Sequence, residues 1–378
     1  MKRLVIDCNS IVPYLVSGRT TGIGRTTLDL VYALAKIKDQ IPFDIVLYSQ
    51  NMKGIGGKNL ATAFRTRHFF LPNREGVNKW LGRLSVKEIL APYDLMHIPH
   101  NLEYVYRPEK TIVTLHDALF MHINEKAFDH LGMRKQVPPL MRNCKGIITC
   151  SESSKRDIIE TMHINPDKID VVYWGINHEV FYTQKDKNLV KEKISAQFGI
   201  DKPFFLSVSC NAERKNTHKL IEAFLELSKN NPSDDLVLVW SNPPAFVLKI
   251  IEQSKMNQRV HFLSNISDQD LALLNNGATS LIFPSSYEGF GLPVLEAMAC
   301  GTPVVTCRNS SLPEVGGEAV LYMDEPTAEN ILTYLESFEN KRFNSAQLSE
   351  KGIKQAANFR WENTATQYLK IYNRYLDF

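Results

Sequence analysis

Residues 285–305 read SSYEGFGLPVLEAMACGTPVV, and the fold follows from how this stretch is placed. Just before the turn, SLIFPS (280–285) has the length of a buried strand closed by Pro284. After it, PVLEAMACG (293–301) puts Pro293 in the first turn of a short helix and Gly301 just past its end. A strand running through a glycine turn into a helix is half of a βαβ unit, and in such sheets ligands gather at the carboxyl ends of the strands. The helix N-terminus there attracts phosphate through its amides and dipole, and Gly289 and Gly291 let the backbone come close. Two acids flank the turn, Glu288 within it and Glu296 expected in the first helical turn. Like charges repel, so neither suits a phosphate; a carboxylate beside a phosphate site suits hydroxyl groups, as it does for a ribose. Two acids suggest two polyols. Taken singly, each also fits an ordinary role, as a loop acid or a complement to the helix dipole.

Working outward, short apolar runs alternate with helical patterns along the whole chain, the pattern of parallel sheets built from βαβ units. Strands are expected at RLVIDC, DIVLYS, LMHIPH, TIVTLHD, GIITCS and DVVYWG in the first half. In the second half they are expected at FFLSVS, LVLVWS, VHFLSN, SLIFPS and PVVTC. Two such series predict an α/β protein of two Rossmann-like domains facing across a cleft. The polar run YTQKDKNLVKEK places the junction near residue 185, giving domains at 1–185 and 186–358. Residues 359–378 carry Trp361, Ala365, Tyr368, Leu369, Ile371, Tyr372 and Tyr375 at helical spacing, which predicts a helix crossing back to the first domain.

At 378 residues the chain exceeds what one hydrophobic core supports, in agreement with two domains. With 44% hydrophobic and 22% charged residues it has the composition of a soluble globular protein, and a net charge of +3 gives no reason to expect nucleic acid as a partner. No apolar run reaches the ~18 residues of a membrane span. Asp7 interrupts the first apolar stretch too early for a secretion signal, so a cytoplasmic location is expected. The six cysteines show neither paired nor metal-ligand spacing and read as reduced thiols. Residues 51–90 hold eight lysines and arginines against Glu75 and Glu88, with Phe64, Phe69, Phe70 and Trp80 interleaved. Such a segment fits the surface of an anionic membrane, or equally a solvated loop.

Other strand ends carry further candidates. SVSCNAERKNTHKLIEAF places Arg214 and Lys215 where a strand gives way to a helix; cations disfavour that end, so an anionic partner is expected. In TTGIGRTTLDLVYAL, Gly22 and Gly24 open an amphipathic helix, but Thr27 stands where the dinucleotide fingerprint has its third glycine. TIVTLHDALF ends a strand at His116 and Asp117. His97 and His100 point to opposite faces by strand geometry, which argues against zinc. Asp268 and Asp270 match a DxD pattern, yet Ser267 before them is a good N-cap and both acids fall in a first helical turn. No metal and no cofactor is assigned.

YEGFGLPVLEAMACGTPVV resembles the signature of the retaining glycosyltransferases of family 4, which have the glycosyltransferase B fold, and the likeness extends to TGIGR, RKN, SNIS, SLPEVGGEAVLY and FRWENTATQYL. The resemblance implies that Glu288 contacts the transferred sugar, Glu296 binds the ribose, and the amides of Phe290, Gly291 and Leu292 meet sugar and diphosphate. It gives Arg214 and Lys215 to the diphosphate, His116 to the donor sugar, the Gly22–Gly24 loop to donor and acceptor, and Asn265 and Ile266 to the nucleobase. The chain departs from the family at Ser209 and Cys210, where Gly or Arg is frequent. The expected activity is metal-independent transfer of a hexose, mannose from GDP-mannose first, to a glycan or lipid-linked glycan. A UDP-sugar transferase, an epimerase or phosphorylase, and a nucleotide-sugar-binding scaffold are the alternatives.

Overall fold

Two parallel sheets organise the chain. A computed structural model describes residues 1–378 apart from 18–21, 51, 53–59, 61, 71–91, 101–106, 123–131, 231–232 and 257. The first sheet contains β1 (Arg3–Asp7), β2 (Asp44–Gln50), β3 (Arg65–Phe69), β4 (Leu95–Ile98), β5 (Thr111–Thr114), β6 (Gly146–Thr149) and β7 (Ile169–Val171), in the order β3-β2-β1-β4-β5-β6-β7. The second contains β8 (Phe204–Val208), β9 (Asp235–Val239), β10 (Val260–Leu263), β11 (Ser280–Phe283), β12 (Val304–Cys307) and β13 (Leu321–Met323), in the order β10-β9-β8-β11-β12-β13. Every pairing is parallel, from Leu4↔Ile45 and Leu4↔Leu95 in the first sheet to Leu206↔Val237 and Leu281↔Leu206 in the second. The central strands are buried on both faces, which is why they read as unbroken apolar runs.

All eleven expected strands are present. Two more, β3 and β13, lie at sheet edges and escape sequence reading for a physical reason. An edge strand has one neighbour and a partly exposed face: RTRHF carries two arginines instead of an apolar run, and LYM is apolar but only three residues long and mostly half-buried. The guanidinium of Arg65 pairs with Asp44, which Arg3 also holds at 2.9 Å. Part of the basic segment 51–90 is thus sheet; Phe64 is buried, Phe69 packs on Tyr48 at 5.4 Å, and of these described aromatics only Phe70 is exposed. Most of that segment, including Trp80, lies outside the described residues.

The chain divides into one unit of Met1–Gly175 with Arg360–Phe378 and another of Ile176–Phe359. The division falls at Gly175, about ten residues before the polar run near 185, because Ile176 and His178 hydrogen-bond the Phe359 carbonyl at 3.2 and 3.1 Å and so belong with the second unit. The polar run itself becomes the helix Lys187–Phe198, capped by the Asp186 side chain. Gly175 is pressed against the last helix: a Cβ there would lie 2.1 Å from the Trp361 backbone nitrogen.

That last helix, Trp361–Tyr375, packs on the helix Gly22–Lys36 of the first unit. A buried chain of polar groups fastens it. Tyr372 OH meets His97 Nδ1 at 2.8 Å, His97 Nε2 meets Thr114 Oγ1 at 2.8 Å, and Thr114 Oγ1 meets Tyr368 OH at 3.3 Å. Burial, with His100 and His116 nearby, lowers the His97 pKa to about 3, so the ring is neutral at pH 7 and serves packing.

Candidate functional site

The second sheet reverses its strand order between β8 and β11. Loops leaving two such strands run to opposite faces and open a crevice at their carboxyl ends, where ligands of open α/β sheets bind. Both halves of the strongest motif pair arrive there. After β8, a short 3-10 turn over Glu213–Lys215 precedes the helix Thr217–Ser228; after β11 comes the Glu288 loop.

Glu288 Oε1 accepts from Lys215 Nζ at 2.6 Å, Arg214 Nη1 at 2.8 Å and Ser285 Oγ at 2.5 Å. The anion facing the two cations is therefore Glu288 itself, 73 residues away in sequence from Lys215. All three side chains are largely buried, at 19% exposure for Arg214 and 12% for Lys215 and Glu288. Burial alone would raise the Glu288 carboxyl, but the charges of Lys215 and Arg214, with hydrogen bonds from Lys215 and Ser285, outweigh it and hold the group below its ordinary range. Lys215 Nζ also lies 4.4 Å from the centre of the Phe283 ring. The triad carries one net positive charge on largely buried side chains, which suits an anion.

Residues given no role in the sequence reading set this geometry. Asn216 takes a left-handed conformation, φ 49°, which asparagine tolerates better than most side chains. Its Nδ2 donates to the carbonyls of Pro284 at 2.9 Å and Arg214 at 3.0 Å, clamping the Arg-Lys turn to the end of β11. From a third loop, Ser310 Oγ accepts the Glu288 amide at 2.9 Å, and Ser311 Oγ reaches the carbonyls of Glu288 at 2.9 Å and Phe290 at 2.8 Å. The asparagine inside Arg-Lys-Asn was the available signal. Ser311 opens the SLPEVGGEAVLY stretch of the family likeness, but its contact had no signal, and Ser310 had none at all, since only folding brings the two to the turn.

Gly291, φ 110°, caps the helix Leu292–Ala299, and a Cβ there would press on Leu312 Cδ2 at 3.0 Å. The Phe290 side chain is buried edge-on against Phe359 at 6.0 Å, anchoring the loop whose amides border the crevice. Glu296 is not in the first helical turn. It is the fifth residue of that helix and only 1% exposed, because the helix begins at Leu292 with Gly291 as its cap. Asn265 is also left-handed, φ 58°, in the exposed turn after β10. Asp270 closes a capping box with Ser267, accepting its amide at 3.2 Å and giving its own at 3.1 Å. Among the described residues no group of three or more His, Cys, Asp or Glu could hold a metal ion.

The remaining candidates belong to the first unit. Gly22 and Gly24 are the first and third residues of their helix; Gly24 is buried, and a Cβ on Gly22 would meet nothing within 4 Å. His116 follows β5, is 5% exposed, and donates from Nε2 to the Pro99 carbonyl at 3.1 Å. Burial lowers its pKa to about 4 against the pull of that carbonyl, with His100 adding to the fall. It lines a small niche with Thr26, Thr27, Thr114, Trp174, Trp361 and Tyr368.

Comparison with known proteins bears on both halves of the chain. Residues 20–180 match the profile of Glycosyltransferase Family 4, and residues 190–356 match that of Glycosyl transferases group 1. The chain belongs to this glycosyltransferase family and is a glycosyltransferase. It is 28% identical to O-antigen chain mannosyltransferase B of Escherichia coli over 93% of this chain and 96% of that protein. To the serotype-specific mannosyltransferase WbdA of Escherichia coli it is 26% identical, over 71% of this chain but 34% of that protein. Among solved structures, the sucrose-phosphate synthase of Thermosynechococcus elongatus superposes with a TM-score of 0.76 at 18% identity, covering 99% of both chains. Anabaena Alr3699/HepE in complex with UDP and glucose gives 0.76 at 16% identity, covering 99% of this chain and 100% of that one. These likenesses show the glycosyltransferase B fold.

Proposed function

We propose that this glycosyltransferase moves mannose from GDP-mannose to a hydroxyl of a glycan or lipid-linked glycan in surface polysaccharide synthesis, with retention at the anomeric carbon and without a metal ion. The observation that carries the reading is the Lys215–Arg214–Glu288 triad at the β8/β11 crevice. A diphosphate brings more negative charge than Glu288 and so attracts both cations; the freed carboxylate turns to the hydroxyls of the sugar. As the bond to the sugar breaks, charge grows on the departing diphosphate, and cations already in place lower that barrier without reorganisation. The Leu292 amide at the start of Leu292–Ala299 adds to the same effect; Pro293 has no N–H, and the Val294 and Leu295 amides donate to the Gly291 carbonyl at 3.0 and 3.2 Å. The leaving oxygen can take the acceptor's proton on the same face, so no protein nucleophile is needed. Arg214 and Lys215 supply the charge for which other transferases use a divalent ion, and Asp270 is committed to a helix cap.

The remaining roles follow the family: Glu296 for the ribose, Phe290, Gly291 and Leu292 amides for sugar and diphosphate, Gly289 for close approach, Asn265 and Ile266 for the base. His116 goes to the donor sugar, and Gly22 and Gly24 to donor and acceptor. Mannose is favoured because the full-length relative from Escherichia coli is a mannosyltransferase. A UDP-sugar is the second reading, supported by the UDP and glucose bound to HepE. We place the enzyme on the cytoplasmic side of the membrane; no helix among the described residues is long and apolar enough to cross it.

Thermal shift with GDP-mannose and UDP-glucose decides the donor, since a ligand at 100 times its Kd adds about 2.7 kcal/mol. Transfer of labelled mannose to an added glycan, with the anomer read by NMR, tests the rest. An acceptor-independent product would mean an epimerase, a requirement for inorganic phosphate a phosphorylase, and donor binding with no turnover a scaffold.

A further inference from the structure

The first sheet reverses its order between β1 and β4, so it too has a crevice at the carboxyl ends of its central strands. Around His116, which follows β5, three neighbouring strand ends converge. Past β4, the Pro99 carbonyl accepts from His116 Nε2 at 3.1 Å. Past β6, Cys150 Sγ donates to the His116 carbonyl at 3.2 Å. Past β7, the Trp174 indole meets the imidazole edge-on, with ring centres 5.1 Å apart. A fourth contact comes from the helix Glu152–Met162. Its cap, Ser151, accepts the Ser154 amide at 3.0 Å and donates to Ser154 Oγ at 2.9 Å, which leaves the Ser154 proton to the His116 carbonyl at 3.0 Å. Cys150 and Ser151 are fully buried and Ser154 is 2% exposed.

A buried imidazole must satisfy its N–H, and the Pro99 carbonyl does that. Filling space asks for nothing more, and an apolar side chain would do it at lower cost. The other contacts do something that packing does not require. Two donors on one carbonyl fix the peptide plane after His116, and with it the direction in which the side chain leaves the backbone. The Pro99 bond and the indole edge then hold the ring in one orientation. Because Nε2 carries the proton, Nδ1 is the accepting nitrogen, the one suited to a sugar hydroxyl. Trp174 also stands next to Gly175, where the chain leaves the first unit, so one side chain ties the imidazole to that passage.

We infer that Ser154 and Trp174 are positioning residues for His116, Ser154 through its backbone and Trp174 through its ring, and that the transfer reaction depends on both. This rests on the transferase reading, which gives His116 to the donor sugar. Neither residue touches the sugar in that reading; each acts by fixing where the imidazole points.

The test uses the full chain with GDP-mannose and UDP-glucose as donors and octyl α-mannoside as acceptor. Ser154→Ala and Trp174→Leu are each expected to lower kcat by about tenfold, since misplacing a group by ~1 Å can cost ~10²-fold, while the donor KM stays within about twofold. Trp174→Phe, which keeps an aromatic edge, is expected to recover most of the loss. In a His116→Ala background the same substitutions should cost nothing further, because each acts through the imidazole. Proton NMR of the imidazoles, with no donor present, reads the positioning directly. The His116 titration, at about 4 in the wild type, should move up towards ~6.5 in Ser154→Ala and Trp174→Leu as water reaches the ring, while His97 stays at about 3. Should Trp174→Leu not fold, Trp174→Met takes its place. Full additivity in the His116→Ala background, a His116 titration that does not move, or one that moves together with that of His97 would each overturn the assignment. Absence of turnover by the wild type with either donor, with the NMR shift intact, would instead count against the transferase reading.

Discussion

The crevices at β8/β11 and β1/β4 occupy the same place in two sheets of one design, and they are filled in opposite ways. The first holds two cations clasped by one buried acid; the second holds a buried acid, Asp7, and neutral histidines. Topology explains why each crevice exists. It does not explain what each does, which depends on a few side chains at the strand ends. A charged leaving group requires the first arrangement, and the second holds a neutral imidazole in one orientation.

The contrast is broken most severely at the cations. Lys215→Ala is expected to lower kcat on the order of 10²–10³-fold, the loss seen when one preorganised group facing developing charge is removed, while the folded state survives; loss of less than tenfold would remove Lys215 from the chemistry. Gly175→Ala comes next, by stability: the added methyl meets backbone at Trp361, which cannot swing aside as a side chain can. Overpacking of this kind costs typically 1–3 kcal/mol, and a thermal midpoint unchanged within a degree would show that the last helix shifts freely. Gly291→Ala forces a left-handed conformation worth roughly 1–2 kcal/mol, together with contact on Leu312, and should weaken nucleotide binding in a titration as well as lower the midpoint.

The smallest effect separates the two crevices by pH. His97 and His116 have folded pKa values of about 3 and about 4, below the ~6.5 of an exposed imidazole. The unfolded chain therefore binds more protons across that interval, and stability falls as pH drops from ~6.5 towards 4. Glu288 acts in a lower window: its pKa is depressed, so its contribution is complete above ~4.3 and is lost as pH falls through the folded value. Urea midpoints measured from pH 7 to 3 should show both declines, with His97→Gln flattening the upper one and Glu288→Gln the lower. Identical slopes in both variants would refute the assignment.

How much of this was legible depended on the range of the interactions. Central strands such as FFLSV and SLIF announce themselves because both faces are buried, whereas RTRHF and LYM, at the edges, do not. The end of the Leu292–Ala299 helix could be read from Gly301, φ 77°, but its start at Leu292 moved Glu296 into the second turn. The cations, Glu288 and His116 were each visible as residues at strand ends, and Glu296 as an acid in the helix that follows. That Glu288 closes on Lys215 and Arg214, or that Ser310 and Ser311 hold its backbone, was not, because those partners are distant in sequence.

Sequence alone determined the class of fold, the positions of the buried strands and the set of chemistry-bearing side chains, because periodicity and turn residues act over a few positions. Tertiary structure decided the partners: which acid neutralises which cations, which histidines stay neutral, and where the last helix docks. Those outcomes depend on burial and on distances of a few ångströms between segments tens to hundreds of residues apart, and neither quantity exists until the chain has folded.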